Sequence, residues 1–346
     1  MTDTLRWKDA DDEDLYTLPD TDPLAVLSST RAVVEQGERV WINADSVELL
    51  SEQWLQEEEE SSSSMPPQWD TEHHFYDGSE RTVNWLLVLD ALNFCFWAEK
   101  DQPRWSIDYQ GEVLNGYWAE AAALKRAVEE GIPLWDAEYL STMSEDQLAH
   151  IFRGNEIISL FEQRLHNARE VGSVLLERYD GQFSHAIEQV GRNAAQLALL
   201  LARDFSSFND VATYRNLSVR FLKRAQICVA DIYSAFGGEG WGALTDLHQL
   251  TAFADYKLPQ ILRHYDVLEY DPALAQSVDN QEQLDPGSEE EVEIRAATIW
   301  ACELLRRALL QRGRSMTTCE IDQRLWLASQ RIAEMRPYHR TRTIYY

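Results

Sequence analysis

Apolar side chains recur at helical spacing along most of the chain. From residue 119 onward they fall at i, i+3 and i+4 positions in successive stretches, a periodicity typical of helices with one buried face. The sequence therefore predicts an all-α or mostly α fold. The predicted helical stretches are 24–34, 119–130, a capped helix opening at Ser144, 155–176, 186–202, 217–236, 289–312 and 320–335.

Two stretches depart from this pattern. Residues 83–96 are dense in Trp, Leu, Val and Phe, and periodicity alone does not choose between a strand and a buried helix there. Residues 105–114 contain Gln110-Gly111 between short apolar segments, which predicts a small β-hairpin.

The ends of the domain are indicated by composition. Residues 1–22 carry eight acidic side chains and little apolar content, so we expect a flexible acidic tail. Residues 23–346 then form a single helical domain. Within it, the Glu/Ser run at 56–67 predicts a solvated loop without a specific role.

Charge narrows the range of partners. The 346 residues include 59 acidic and 31 basic side chains, a formal net charge of -28. A protein this acidic repels a long phosphate backbone, so we expect no nucleic-acid polymer as partner. An enzyme acting on a single nucleotide remains compatible with this charge.

Cysteine spacing and hydropathy bear on the compartment. The four cysteines are far apart and form no CxxC pair, so neither a disulfide framework nor a structural zinc site is predicted. The longest apolar stretch, 85–98, is shorter than the roughly 20 residues that cross a bilayer. We expect a soluble protein without a membrane partner in a reducing compartment, most simply the cytosol.

One aspartate stands out among the candidate functional residues. Asp255 follows an apolar stretch and precedes Pro259, so it falls at or near the N-terminus of a helix. An aspartate there is ordinarily a helix cap; the alternative is a carboxylate held by backbone amides at a pocket. Familiar catalytic motifs such as HExxH, GxSxG and a phosphate-binding glycine loop are absent from the sequence.

Two further polar clusters are ambiguous from spacing alone. Lys223, Arg224, Gln226 and Asp231 decorate one predicted helix, and a solvated polar face is the default interpretation. The segment 337–346 concentrates arginine, histidine and threonine in an acidic chain. It could bind a phosphate, since arginine forks match phosphate oxygens, or simply pair with the acidic body.

Several blocks of sequence, taken in order, resemble the queuosine salvage protein family, the queuosine 5′-phosphate N-glycosylase/hydrolases. They run from about residue 69 to the last residue. The chain departs from the family pattern in its acidic first 20 residues, in the Glu/Ser run, and at Lys257, where arginine is frequent. The matching blocks are Asn84-Trp85, Asp90-Ala-Leu-Asn-Phe94-Cys-Phe-Trp97, Gly116-Tyr-Trp118, 221–231, Phe253-Ala-Asp-Tyr-Lys-Leu-Pro-Gln260, Glu291-Val-Glu-Ile-Arg295 and 338–346.

The resemblance implies a fold similar to DNA glycosylases and a specific reaction. That reaction is hydrolysis of the bond between ribose C1′ and queuine in queuosine 5′-monophosphate, which releases queuine. The chemistry requires no metal and no organic cofactor. The chain lacks a helix-hairpin-helix glycine pair before Asp255, so duplex DNA is not the expected substrate.

The resemblance also implies roles for individual residues. Asp255 would lie at the reaction centre, as stabiliser of the cationic sugar or as base for water. The residues expected around the base and ribose are His73, Asn93, Phe94, Asp231, Phe253 and Tyr256, and those expected at the 5′-phosphate are Lys223, His339, Arg340 and Arg342.

Two alternatives remain open. One is a glycosylase for another modified nucleotide on the same scaffold, which activity on other nucleoside monophosphates would reveal. The other is a binding protein that holds the modified nucleotide without cleaving it, which tight binding without base release would reveal.

Overall fold

The computed structural model describes residues 16–60 and 69–346 of the chain. The described part is mostly helical, as predicted. Its α-helices are α1 (Val26–Gln36), α2 (Ala44–Glu60), α3 (Glu80–Leu92), α4 (Gly116–Glu129), α5 (Ala137–Ser141), α6 (Glu145–Ile151), α7 (Phe161–Arg178), α8 (Phe183–Gln189), α9 (Ala194–Asp204), α10 (Lys223–Ala235), α11 (Lys257–His264), α12 (Pro272–Asp279), α13 (Glu289–Gln311) and α14 (Thr318–Arg331).

The strands in this part of the chain form two-stranded antiparallel pairs. β1 (Val40–Ile42) pairs with β6 (Leu268–Tyr270), with Trp41 opposite Glu269. β2 (Ser106–Tyr109) pairs with β3 (Glu112–Asn115), which confirms the predicted hairpin. β4 (Val211–Tyr214) pairs with β5 (Leu217–Arg220).

The chain divides into two compact units. The first takes in the described residues 16–60 together with Val211–Lys223 and Leu247–Arg342. Its core is built on α13, whose residues from Glu291 to Leu305 are all buried, and α1, α2, α11 and α14 pack against this helix. A helix buried on every side must be apolar around most of its circumference. Its few buried polar side chains need hydrogen-bonding partners, because an unpaired buried polar group is costly.

The second unit takes in residues 69–210, Arg224–Asp246 and Thr343–Tyr346. Its central helix is α3, which is buried from Thr82 to Leu92 and contacts α4, α7 and α8. This resolves the ambiguous stretch 83–96. It is a buried helix as far as Leu92 and an irregular segment beyond it.

Three predicted helices were wrong in extent. The predicted helix 155–176 begins only at Phe161, the first residue of α7. The stretch 186–202 is divided between α8 and α9, because Gly191 and Arg192 adopt positive φ and Asn193 caps α9 through its side chain. The stretch 217–236 begins as strand β5, and its helix starts only at Lys223. Alternating apolar residues at Leu217 and Val219 suit a strand as well as a helix, and pairing with β4 decides between them.

The predicted tail and loop fall partly outside the described residues. The backbone of α2 is helical to Glu60, so helix replaces the first part of the Glu/Ser loop, and residues 61–68 lie outside the description. Residues 1–15 of the tail also lie outside it. Tyr16 packs edge-on against Trp300 with ring centroids 5.1 Å apart. Across the described residues, none of the helices combines the length and the apolar character that a membrane span requires.

Candidate functional site

Asp255 lies at the end of a buried, irregular segment in the first unit. Residues 250–256 are all buried and lead directly into α11. Asp255 Oδ1 accepts hydrogen bonds from the backbone amides of Lys257 at 2.7 Å and Leu258 at 2.8 Å. These are the bonds that the helix-cap interpretation predicts, one residue before Tyr256, where α11 is capped. The same bonds also hold a buried carboxylate, 9% exposed, in a fixed orientation at the positive end of a helix.

Opposing influences act on the acidity of Asp255. Burial raises the pKa of this carboxyl, whereas the charge of Lys223 and the two α11 amides lower it. Lys223 is the first residue of α10 and is itself buried, 5% exposed. A buried lysine that acts on a buried carboxylate favours the ionised form of the acid. Lys223 therefore acts on the Asp255 carboxylate, whether or not it also binds a phosphate.

A second buried carboxyl, Asp322 in α14, was missed by the sequence analysis. It accepts a 2.7 Å hydrogen bond from the amide of Phe253. Burial raises the pKa of Asp322 well above its ordinary value, and the charge of Asp255 raises it further. A signal was present, because Asp322 falls on the buried stripe of α14, and an acidic residue on an apolar face is unusual.

Two predicted base-binding residues flank Asp255. Phe253 is 6% exposed, and its amide is bound by Asp322. Tyr256 packs against Tyr338 with ring centroids 4.8 Å apart. The Lys257 ammonium also lies 5.3 Å from the centre of the Tyr338 ring. Asp255 thus has an aromatic residue on each side in the sequence, Phe253 two positions before it and Tyr256 directly after it.

The C-terminal basic cluster consists of His339, Arg340 and Arg342, and these three side chains have different environments. His339 is buried, and burial together with the charge of Arg295 lowers its pKa to about 3, so its imidazole is neutral near pH 7. It can hydrogen-bond to a phosphate but adds no positive charge. The Arg340 guanidinium donates to the side-chain oxygen of Gln281. Arg342 is half-buried.

Arg295 links this cluster to the segment that carries Asp255. Its guanidinium donates to the carbonyl of Ala254 at 3.1 Å and lies 3.9 Å from the centre of the Phe221 ring. It also forms a buried ion pair of 3.5 Å with Glu291, one turn earlier on α13. The backbone immediately before Asp255 is therefore fixed by a charged side chain that the sequence analysis had not assigned a role.

The other predicted site residues lie in the second unit. His73 Nδ1 is 2.7 Å from the Asp70 carboxylate, and the His73 ring lies 5.4 Å from that of Trp118. Asn93 is the residue that follows α3, and its side-chain amide donates to the Asp90 carboxylate at 3.5 Å. Asp231 is half-buried in α10, and its charge contributes to the raised pKa of Tyr117.

The remaining residue of this set, Phe94, is fully buried. Arg224 lies over its ring, 5.2 Å from the centroid. The expectation of a solvated face at Arg224 is wrong, since this residue is 1% exposed and bonds to the carbonyls at the end of α3. The Arg224 guanidinium is buried rather than solvated because this face of α10 is covered as well as its apolar face.

The structure thus distributes the predicted residues over both units. In the first unit the charge of Lys223 acts on Asp255, which Phe253 and Tyr256 flank in sequence. The first unit holds Lys223, Phe253, Asp255, Tyr256, His339, Arg340 and Arg342, and the second holds His73, Asn93, Phe94 and Asp231.

One group of side chains in the described ranges has the spacing of metal ligands. Ligand atoms of Asp70, Glu72 and His73 lie within 4.8 Å of one another. Glu72 is exposed, and the Lys125 ammonium binds the adjacent carbonyls of Thr71 and Glu72 at 2.9 and 2.7 Å. A positive charge beside the cluster disfavours a cation there.

Comparison with known proteins gives one consistent result. Residues 73–346 match the family model described as queuosine salvage protein. A queuosine 5′-phosphate N-glycosylase/hydrolase of Sphaerobacter thermophilus is 51% identical over 326 residues, covering 94% of this chain and 98% of the relative. The protein of that name from Mus musculus is 35% identical over 338 residues, covering 94% and 99%. That from Schizosaccharomyces pombe is 30% identical over 286 residues, covering 79% and 82%.

Proposed function

The chain belongs to the queuosine salvage protein family, and from this premise we propose that it hydrolyses queuosine 5′-monophosphate. The reaction breaks the N-glycosidic bond between ribose C1′ and the base, consumes water and releases queuine for salvage into tRNA modification. The observation that carries the proposal is Asp255, a buried carboxylate held by two amides of α11 beside a lysine, within a chain of this family.

The chemistry calls for a negative charge near C1′. As the glycosidic bond breaks, the sugar acquires oxocarbenium character, and a carboxylate fixed before the reaction stabilises it without reorganisation. Asp255 suits this role because backbone amides orient it. Its raised pKa also makes it a stronger base towards an attacking water than an ordinary aspartate. The charge of Lys223 favours its ionised form and so opposes the effect of burial.

The leaving base imposes a second requirement. Guanine can be helped to leave by protonation at N7, but queuine has carbon at that position. The enzyme must therefore stabilise the departing base through its other edges. We assign Asn93, Asp231 and His73 to polar contacts with queuine or its cyclopentenediol, and Phe94, Phe253 and Tyr256 to the surroundings of the base and ribose.

The 5′-phosphate is the only dianion of the substrate. We assign it to Arg342 and Arg340 as the charged ligands, to His339 as a neutral hydrogen-bonding partner, and to Lys223. Binding energy at this remote group can position C1′ for reaction. We further propose a small-molecule substrate in a reducing compartment such as the cytosol. Neither a nucleic-acid polymer nor a membrane is proposed as partner, given the net charge of -28.

Incubation of the purified protein with queuosine 5′-monophosphate tests the reaction. We expect free queuine, detected by mass spectrometry, and little guanine from GMP under the same conditions. Comparable release from GMP or other nucleotides would favour the broader glycosylase. Binding of queuosine 5′-monophosphate by calorimetry without any release would favour the non-catalytic binding protein and would leave Asp255 as a helix cap.

A further inference from the structure

Two buried arginines in the second unit hold the backbone that follows α3. Arg164 lies on α7 and Arg224 on α10, and both are almost completely buried, 0% and 1% exposed. An arginine is seldom buried unless its donors are satisfied. Both side chains bind backbone carbonyls of one short stretch, residues 90–95. Arg164 also donates to the carbonyl of Ser159, and Arg224 to that of Ser207.

The hydrogen bonds cover nearly every carbonyl of that stretch. Arg224 donates to Asp90 and Ala91, at 3.0 and 2.6 Å. Arg164 donates to the carbonyls of Leu92 and Phe94, with a longer contact of 3.5 Å to Cys95. Helix C-termini leave carbonyls without partners inside the helix, and cations are favourable there. Here two guanidinium groups supply those missing donors.

The segment needs such support because its own sequence does not cap the helix. No glycine follows Leu92, and Cys95 adopts a left-handed conformation with φ 47°, which is unfavourable for a residue with a Cβ. Further bonds restrain Cys95: its amide donates to the carbonyl of Tyr346 at 2.9 Å, and its carbonyl accepts from Ser159 Oγ.

The same two guanidinium groups lie over the Phe94 ring. Their centres are 4.3 Å (Arg164) and 5.2 Å (Arg224) from the ring centroid. The charge of Arg164 is balanced by Glu120 on α4, in an ion pair of 3.3 Å in which both side chains are fully buried. Phe94 is 0% exposed. The two arginines therefore hold the Phe94 ring in place within the unit. Because Asn93 precedes Phe94 in the chain, they also restrain the backbone of Asn93.

We propose that Arg164 and Arg224 are positioning residues for the base: they set the place of Asn93 and Phe94 by binding the carbonyls of residues 90–95 and the Phe94 ring. The proposal rests on the proposed function, since it assumes that this segment binds queuine. It adds to the place of Phe94 beside the base a second role, as an anchor for Asn93. Neither arginine contacts the substrate in this scheme.

Arg164→Lys and Arg224→Lys test it, because lysine keeps the charge but cannot bind two carbonyls with a planar fork. Arg169→Lys is the matched control. Arg169 lies on the same helix as Arg164 and also donates to a backbone carbonyl, that of Met143 at 2.7 Å, but it is exposed. Thermal unfolding establishes that each variant is folded.

Amide hydrogen exchange and ligand binding are then measured on the folded variants. We expect faster exchange at residues 93–96 in both test variants. Affinity for free queuine by calorimetry, and kcat/KM for queuosine 5′-monophosphate, should both fall about 10- to 100-fold, the scale of a misplaced contact remote from the chemistry. Arg169→Lys should change neither quantity.

Ser159→Ala provides a milder variant if lysine is not tolerated. It removes a single bond to the Cys95 carbonyl and should weaken queuine binding in the same direction, by less. Faster exchange with unchanged queuine affinity would overturn the proposal, as would unchanged exchange in folded variants. Failure of the wild-type protein to bind queuine or release it would instead refute the proposed function.

Discussion

The carboxyl group of Asp322, in α14, accepts a 2.7 Å hydrogen bond from the backbone amide of Phe253. This bond ties the second residue before Asp255 to a helix about 70 positions later in the chain. Ala254 lies between Phe253 and Asp255, and its carbonyl accepts a hydrogen bond from Arg295 of α13. The backbone that presents Asp255 is thus fixed by side chains from two helices of the first unit as well as by α11.

Replacing Asp255 with asparagine should separate its two roles. Asparagine caps helices about as well as aspartate, so the midpoint of thermal unfolding should change little. Turnover should fall about 100- to 1,000-fold, the scale of losing one preorganised electrostatic group. Single-turnover release of queuine measures this. Asp255→Ala should lose the activity and, in addition, about 1 kcal/mol of stability; normal turnover in Asp255→Asn would remove this residue from the reaction centre.

Replacing Lys223 with methionine should shift the pH dependence of the reaction. The charge of Lys223 lowers the pKa of Asp255; without it that pKa rises, and ionised Asp255 is lost at a higher pH. The acidic limb of the kcat/KM profile should therefore move upwards. Lys257→Met should move it less, because the charge of Lys257 is the smaller influence. Identical profiles in the wild type and Lys223→Met would show that this coupling is absent.

The Asp322 side chain should be replaceable by asparagine but not by alanine. Asparagine retains an oxygen that can accept from the Phe253 amide and resembles the protonated acid that burial favours. Alanine leaves a buried amide without an acceptor, at a cost of about 1–3 kcal/mol. We expect near-normal queuine release from Asp322→Asn and strong loss from Asp322→Ala. Gln323→Ala, at an exposed position of α14, is the control.

Arg342→Ala should weaken recognition of the phosphate specifically. A hydrogen bond to a charged group contributes about 1.5–3 kcal/mol, so affinity for queuosine 5′-monophosphate should fall about 10- to 100-fold. Affinity for the unphosphorylated nucleoside should be unchanged, which calorimetry with both ligands measures. Arg331→Ala, at an exposed arginine of α14, controls for loss of general positive charge. Equal losses on both ligands would exclude Arg342 from the phosphate site.

His339 should contribute to destabilisation in acid. Its folded-state pKa is about 3, below the value of about 6.5 expected in the unfolded chain. The unfolded chain therefore takes up this proton first, and stability is lost as the pH falls from about 6.5 towards 3. The unfolding midpoint of His339→Gln should decline less than that of the wild type over this range. A parallel decline in the two proteins would mean that His339 is already accessible to protons.

The helical class, most helices and the hairpin at 105–114 could be predicted from the sequence, because these depend on local periodicity and turn residues. The capping position of Asp255 followed from its spacing to Pro259 for the same reason. The ordered motifs indicated the family. Where local pattern was ambiguous, as at Leu217–Arg220 and in 83–96, only pairing and burial in the folded chain chose between strand and helix.

Tertiary structure alone decided the environment of the polar residues. Arg164, Arg224 and Asp322 occur in helices whose sequences place charged side chains on several faces, and burial depends on which other elements cover each face. The same holds for His339, whose neutral state results from burial and from Arg295, a residue 44 positions away in the sequence. Residue types set which groups can ionise or donate. Desolvation and neighbouring charge, which only the folded chain provides, set which of them do so.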